Sequence, residues 1–135
     1  MRILDIIEAK RYAQRTQLLR PHDTIEFAAN LLVTNDVGAA VVCDDVDGVV
    51  GILSERDILK GLVLYGPAVM TRRSHELMQP FVMYCSPEDT LAYAAMAMRK
   101  DGVRHLAVLE GSCALGVVGL RDLLAHMSVD EHQSH

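Results

Sequence analysis

The sequence predicts a mixed α/β (α+β) fold built from two copies of one helix–strand–strand–helix unit. The first observation is an internal repeat, in which Pro21 and Pro87 lie 66 residues apart while Asp57 and Asp122 lie 65 residues apart. The second is that short runs of Val, Ile, Leu and Ala alternate with turn and capping signals. The third is a hydrophobic content of 50%, enough for one domain or two closely packed repeats. Because such a repeat sets the architecture, the local elements are assigned within it.

Each unit opens with a predicted helix. In "PHDTIEFAANLLVTND", residues 21–36, Asp23 is the predicted N-cap and Glu26 follows three residues later, which is the capping-box pattern. The second copy, "PEDTLAYAAMAMRKDG", ends at Gly102, a residue type that commonly stops a helix.

Two short strands and a closing helix follow in each unit. The strand pairs are "GAAVVCD" with "DGVVGIL" and "RHLAVLE" with "ALGVVG", and each pair is joined by a turn rich in Asp, Gly or Ser. The closing helices are "SERDILKGLVL" and "LRDLLAHM", and short helical pieces, "RILDIIEAK" and "SHELMQ", precede the repeats. The predicted division is repeat 1 at 1–66, a linker at 67–74, repeat 2 at 75–128 and a polar tail at 129–135.

Two motifs carry a family resemblance. "G-x-x-S-x-x-D" leads into the first closing helix, and "V-R-H-L-x-V" lies on the middle strand of the second unit. With two units in register, residues 1–127 resemble a tandem pair of CBS (cystathionine beta-synthase) domains, or Bateman module. The resemblance implies two β-α-β-β-α repeats related by a pseudo-two-fold axis, with two small sheets packed against each other. Two departures are Ala107, where the family has Pro, and Gly119, where it has Ser or Thr.

The resemblance also implies a function. CBS pairs bind adenosine-containing ligands, such as AMP, ADP, ATP, S-adenosylmethionine or NAD, in clefts between the repeats. They form disc-like dimers and regulate an attached enzyme, channel or transporter. Since the pair accounts for nearly the whole sequence, we expect a stand-alone regulatory module that acts on an unidentified partner enzyme or transporter.

Ser54 and Asp57 have two interpretations. The local one is a capping box at the start of a helix. The family one is that Asp57 accepts hydrogen bonds from both ribose hydroxyls while Ser54 contacts a phosphate, aided by N–H groups at the helix start. Asp122 recurs although Gly119 offers no hydroxyl, which favours a ligand role for the carboxylates.

Arg104 and His105 begin the middle strand of the second repeat. The resemblance implies that they face ligand phosphates across the two repeats, and the alternative is a solvated strand end with a partly buried His105 ring. Because Arg can contact phosphate in a bidentate way, Arg104 is the stronger candidate. Other basic residues that could supply this charge are Lys60, Arg20, Arg72 and Arg73.

The two clefts are predicted to be unequal. The cleft with Ser54 and Asp57 combines a hydroxyl, a carboxylate and a helix start, and Arg104 and His105 face it. The cleft with Asp122 lacks the hydroxyl and faces glycine and alanine at 38 and 39. We therefore expect it to hold a ribose but to hold phosphate poorly.

Composition and motifs argue against several other classes. A net charge of −5, from 13 basic and 18 acidic residues, argues against a nucleic-acid-binding module, which a salt-dependent gel shift would test. No apolar run approaches the length of about 20 residues that spans a membrane, so we expect a cytoplasmic protein without a membrane partner. No Gly-rich phosphate loop, G-x-S-x-G or H-E-x-x-H occurs, so we expect no catalytic residues and no enzyme.

Cysteine and histidine spacing predicts no metal site. Cys43, Cys85 and Cys113 form no C-x-x-C motif, and two of them are flanked by strand-like residues typical of apolar fillers. The remaining alternative is a ligand-independent scaffold. The apolar helices predict a homodimer under either function, because one short chain cannot cover all of them.

Overall fold

The computed structural model describes residues 1–13 and 18–133, and the side chains within 1–9 and 18–127. Helices and short strands follow each other in the same order twice. They are α1 (Ile3–Ala13), β1 (Leu18–Leu19), α2 (Ile25–Thr34), β2 (Ala39–Asp44), β3 (Gly48–Ser54), α3 (Glu55–Tyr65), a 3₁₀ helix (Gly66–Thr71), α4 (Ser74–Leu77), β4 (Tyr84–Cys85), α5 (Leu91–Asp101), β5 (His105–Glu110), β6 (Cys113–Gly119) and α6 (Leu120–Gln133). The predicted mixed α/β (α+β) fold is confirmed.

The two sheets repeat each other strand for strand. In one, β1 lies parallel to β2 and β2 pairs antiparallel with β3; in the other, β4, β5 and β6 are paired in the same way. Even the irregularity recurs, because the register shifts after Val42 in β2 and after Val108 in β5. The repeat seen in the sequence is therefore a repeat of backbone hydrogen bonding as well.

Each central strand is buried on both faces. Alternate side chains of a strand point to opposite faces, so Ala40 and Val42 face the helices while Ala39 and Val41 face the other sheet. A third cluster lies between the sheets, where Ala39, Val41 and Ile52 pack with Ala107 and Val117 of the second repeat. This contact explains why β2 and β5 read as nearly continuous apolar runs.

The flanking helical segments are exchanged between the repeats. Ile3, Ile6 and Ile7 of α1, placed by the prediction in repeat 1, pack in the core of the second repeat, and the N–H of Ile3 donates to the carbonyl of Asp89 at 2.9 Å. The predicted linker is helical, and its Val69 is buried in the core of the first repeat. The predicted boundary after residue 66 follows the order of the chain. In the packing, α1 joins the core of the second repeat and the segment after α3 joins the core of the first.

The helix starts differ from the predicted capping box in detail. Asp23 is wrong as the N-cap of α2, because the Thr24 hydroxyl accepts the N–H of Phe27 and the Asp23 carboxylate accepts the N–H of Arg20 instead. Thr90 caps α5 in the same way. Gly102 does end α5, in the left-handed conformation that glycine adopts without strain. Among the helices of the described chain, none is long and apolar enough to cross a membrane.

Candidate functional site

A cavity of about 1040 Å³ opens between the two repeats. It lies at the two junctions where β3 runs into α3 and β6 runs into α6. All five residues singled out in the sequence line it, namely Ser54, Asp57, Arg104, His105 and Asp122. Both motifs line this cavity, one from each repeat.

The first junction is a complete capping box. The Ser54 hydroxyl accepts the N–H of Asp57 at 3.3 Å, and Asp57 Oδ2 accepts both the backbone N–H and the hydroxyl of Ser54 at 2.9 Å each. Asp57 is only 6% exposed, and its second oxygen, Oδ1, accepts the side-chain amide of Gln79 at 2.9 Å. The local interpretation of this pair is therefore confirmed, and the carboxylate is bonded on both oxygens.

The second junction keeps half of that box. Asp122 Oδ2 accepts the backbone N–H of Gly119 at 2.8 Å, which matches the contact between Asp57 and the N–H of Ser54. The recurrence of Asp122 without a hydroxyl partner therefore has a structural cause that requires no ligand. The ligand roles of Asp57 and Asp122 remain predictions.

The helix starts also differ from the expected anion site. The first N–H of α3, at Glu55, donates to the carbonyl of Gly38 at 2.9 Å, and the N–H of Asp57 is bonded to Ser54. In the second repeat the N–H of Leu120 donates to the carbonyl of Arg104 at 2.8 Å. The N–H groups of Glu55 and Leu120 fix the two helices to the residues just before β2 and β5, so a phosphate would depend more on side chains than the sequence suggested.

His105 lies beside the two glycines of the cleft. A Cβ added at Gly119 would lie 3.1 Å from His105 Cδ2, and one added at Gly38 would lie 3.3 Å from His105 Nε2. The sequence interpretation treats both glycines as lost phosphate contacts. In the fold they also make room for the His105 ring where the repeats meet, which local sequence cannot reveal.

Several basic side chains besides Arg104 line the cleft. Lys60 lines it, as do Arg56 and Arg121 at the starts of α3 and α6. Their recurrence at an offset of 65 residues was the available signal. The other candidates have different contacts: Arg20 pairs with Asp45, Arg72 pairs with Glu76 and Arg73 donates to the carbonyl of His22.

The cysteines divide as their flanking residues predict. Burial raises the pKa of the Cys85 thiol to about 12, and nearby Asp89 adds to this effect. Burial also raises the pKa of the Cys43 thiol. Both behave as apolar fillers of strands, whereas Cys113 is exposed at the start of β6.

Comparison with known proteins decides the family. The family model for the CBS domain matches residues 17–64 and again residues 74–129. The chain belongs to the CBS domain family. Its two repeats are a CBS pair, as the resemblance of the motifs predicted.

A curated relative shows how far the likeness extends. An uncharacterized 33.4 kDa protein in a ribosomal RNA operon of Thermofilum pendens is 32% identical over 101 residues. These residues are 75% of this chain and 33% of that protein. The CBS pair thus spans about a third of the length of this relative.

Solved structures share the whole CBS-pair architecture. A CBS-domain-containing protein from Agrobacterium tumefaciens is 25% identical with a TM-score of 0.80, and the match covers 94% of this chain and 99% of that one. The CBS domain pair of protein MJ0100, in complex with 5′-methylthioadenosine and S-adenosyl-L-methionine, is 18% identical with a TM-score of 0.81. That match covers 96% of this chain and 98% of the other, and at this identity it shows the fold alone.

Proposed function

We propose that this CBS pair is a regulatory module that binds an adenosine-containing ligand in the cleft between its repeats. The candidates are AMP, ADP and ATP, with S-adenosylmethionine and NAD as further possibilities. The observation that carries the proposal is the single cavity into which Asp57, Asp122 and several basic side chains open. The proposal is therefore for a binding module without catalytic activity.

The chemistry of the lining suits a nucleoside. A carboxylate can accept a hydrogen bond on each oxygen, which matches the two hydroxyls of a ribose. The apolar lining includes Ile6, Val37 and Phe81, which offer surface to a base. Protein MJ0100 has the same fold and binds two adenosine-containing molecules, which supports a nucleoside as the ligand class.

The basic side chains of the cleft suit phosphates. Arg104 directly precedes β5 at one side of the cavity, and Arg56, Lys60 and Arg121 line it from α3 and α6. Arg contacts phosphate oxygens in a bidentate way, which favours Arg104 as the residue that binds the phosphate, with His105 as a second contact beside it. Glu55 and Asp36 also line the cavity, so the field is mixed and the affinity for phosphate depends on these contacts.

The module is proposed to signal as a homodimer. Exposed apolar side chains line α3, where Leu59 is 61%, Val63 88% and Leu64 73% exposed. Phe27 of α2 and Met96 of α5 are exposed as well. Apolar area of this kind usually marks an interface. Sedimentation velocity at micromolar concentration should show a dimer, and a clean monomer would refute this part.

A ligand-independent scaffold is the second candidate. It is favoured by the complete hydrogen bonding of Asp57 within the chain, because such a carboxylate has a role without any ligand. The scaffold keeps the dimer and its apolar helices but needs no nucleotide. A partner enzyme or transporter is common to both candidates.

Native mass spectrometry of freshly purified protein tests the two candidates together. It reports the oligomer mass and the mass of any co-purifying ligand. Calorimetric titration with adenosine, AMP, ATP, NAD and S-adenosylmethionine then measures affinity. We expect saturable binding of at least one of them; no binding of any, with an intact dimer, would favour the scaffold.

A further inference from the structure

The side chain of Gln79, which lies in the segment between the repeats, contacts Asp57, the residue proposed to bind the ribose. Gln79 lies between α4 and β4, and its Nε2 donates to Asp57 Oδ1 at 2.9 Å. Its backbone forms an isolated bridge with Ile52 of β3, with the N–H of Gln79 donating at 2.8 Å and the N–H of Ile52 at 3.1 Å. The backbone is thus held against β3 while the amide reaches into the cleft.

The close approach of this segment depends on Gly51. A Cβ added there would lie 2.5 Å from Met78 Sδ and 2.9 Å from the carbonyl oxygen of Gln79. Only a residue without a side chain leaves this room. The position of Gln79 is therefore a feature of how the inter-repeat segment packs on β3.

The hydrogen-bonding capacity of Asp57 is nearly used up. A carboxylate offers about four acceptor positions. The backbone N–H and hydroxyl of Ser54 and the amide of Gln79 occupy three of them. A vicinal diol brings two donors, so one donor of the chain must leave before a ribose is bound through both hydroxyls.

Gln79 is the donor that can leave. The backbone N–H of Ser54 donates within the capping box of α3, and breaking its bond to Asp57 would unfasten the helix start. The Ser54 hydroxyl oxygen is held beside the carboxylate because it accepts the N–H of Asp57 in the same box. Gln79 is an exposed residue whose backbone bridge to Ile52 does not depend on its side chain. A change of side-chain rotamer is therefore sufficient to release Asp57 Oδ1.

We propose that the amide of Gln79 is a tethered competitor that a ribose must displace from Asp57. The inference rests on the proposed binding of an adenosine-containing ligand. It makes Gln79 a residue that sets the ligand concentration to which the module responds, since only the fraction with the amide released is ready to bind.

The competitor should also affect sugar selectivity. Adenosine brings the 2′- and 3′-hydroxyl donors to Asp57, whereas 2′-deoxyadenosine brings only the 3′-hydroxyl, which the remaining acceptor position of Asp57 can take. Removing the amide should therefore favour adenosine more than its deoxy analogue. A residue that merely stabilised the fold would not distinguish the two sugars.

The test is calorimetric titration of the wild type and Gln79→Met with adenosine and 2′-deoxyadenosine. Methionine has a similar length and no amide, and Gln79→Ala serves as a second variant. A hydrogen bond to a charged group corresponds to about a tenfold change in affinity, so adenosine should bind about tenfold tighter to both variants. Binding of 2′-deoxyadenosine should change much less, and thermal unfolding checks that the variants are folded.

The outcomes distinguish a failure of the inference about Gln79 from a failure of the proposed function. If the wild type binds adenosine and the variants bind it equally or more weakly, Gln79 is not a competitor, while the proposed function stands. If neither the wild type nor the variants bind adenosine, the inference is overturned, and the proposed function is decided separately by the titrations with AMP, ATP, NAD and S-adenosylmethionine. Adenosine binding that appears only in the variants would support both.

Discussion

The two strand-to-helix junctions share their backbone contacts and differ in the side chains around the carboxylate. In each, a carboxylate accepts the backbone N–H three residues earlier, at 2.9 Å for Asp57 and at 2.8 Å for Asp122. Only the first adds the hydroxyl of Ser54 and the amide of Gln79. The shared contact belongs to the fold, because it starts a helix in both repeats. The additional contacts at Asp57 can give the two halves of the cleft different affinities for a ligand.

The largest expected effect tests whether the repeats are one folding unit. Ile25 and Leu91 occupy the same position at the starts of α2 and α5, and they are 0% and 4% exposed. Ile25→Ala and Leu91→Ala should each lower the free energy of unfolding by about 2–5 kcal/mol. Because the flanking helices are exchanged, we expect each variant to unfold in a single transition by calorimetry. Two separate transitions would show that the repeats fold independently.

Removal of each carboxylate compares the junctions as binding sites. Asp57→Ala should weaken AMP binding by about 10- to 100-fold, since it removes the hydrogen-bond acceptors for the ribose. Asp122→Ala should leave the tight phase of the calorimetric titration intact. The amide of Gln79 weakens binding at Asp57 and so reduces the difference in AMP affinity between the two variants. In a Gln79→Met background, that difference in affinity should be larger. Equal losses, or the reverse order, would show that the stronger half of the cleft lies at Asp122.

Thermal unfolding provides the control for the carboxylate variants. Each substitution leaves the N–H of Ser54 or Gly119 without its acceptor, so a loss of stability accompanies the loss of binding. Binding is therefore compared well below the lowest melting temperature of the set. A variant that is unfolded at that temperature is replaced by the Asp→Asn substitution, which keeps one oxygen acceptor.

The threonine caps should be equal in the two repeats. Thr24 and Thr90 each accept the N–H three residues later at 3.1 Å. Thr24→Ala and Thr90→Ala are each expected to lower the free energy of unfolding by about 1 kcal/mol in urea titrations. A clearly larger loss for one would show that its helix depends on the cap more than its counterpart does.

The smallest expected effect concerns the room that Gly119 leaves for His105. Gly119→Ala places a Cβ 3.1 Å from the ring, so it should destabilise the wild type slightly. In a His105→Ala background the same change should be neutral or stabilising. The coupling energy from this double-mutant cycle should be about 0.5–1 kcal/mol, and a coupling of zero would mean that the ring moves aside without cost.

The sequence was sufficient for the architecture because the architecture is repeated and local. Two copies of the strand pattern and of the Arg-Asp pair that opens each closing helix state the same elements twice, and the nearly continuous apolar runs of β2 and β5 follow from their burial on both faces. The cap was misplaced by one residue because Asp23 and Thr24 are both good N-caps, and only the backbone geometry distinguishes them.

Contacts between segments that lie far apart in the sequence could not be predicted from local patterns. Nothing near α1 shows that its isoleucines pack in the second repeat, because an amphipathic helix fits either core. The bond from Gln79 to Asp57 spans 22 residues and exists because Gly51 admits the segment. The position of His105 beside Gly38 and Gly119 likewise follows from packing between the repeats.

The exchange of flanks also orders events during synthesis. Helix α1 leaves the ribosome before the first repeat, yet its partners, which include Leu91, Leu106 and Leu123, are made only after that repeat. The core of the first repeat needs Val69 and so closes only after the segment following α3 has emerged. A ribosome-bound chain can therefore complete its first core while α1 still exposes three isoleucines, and those side chains are buried only when the second repeat is made.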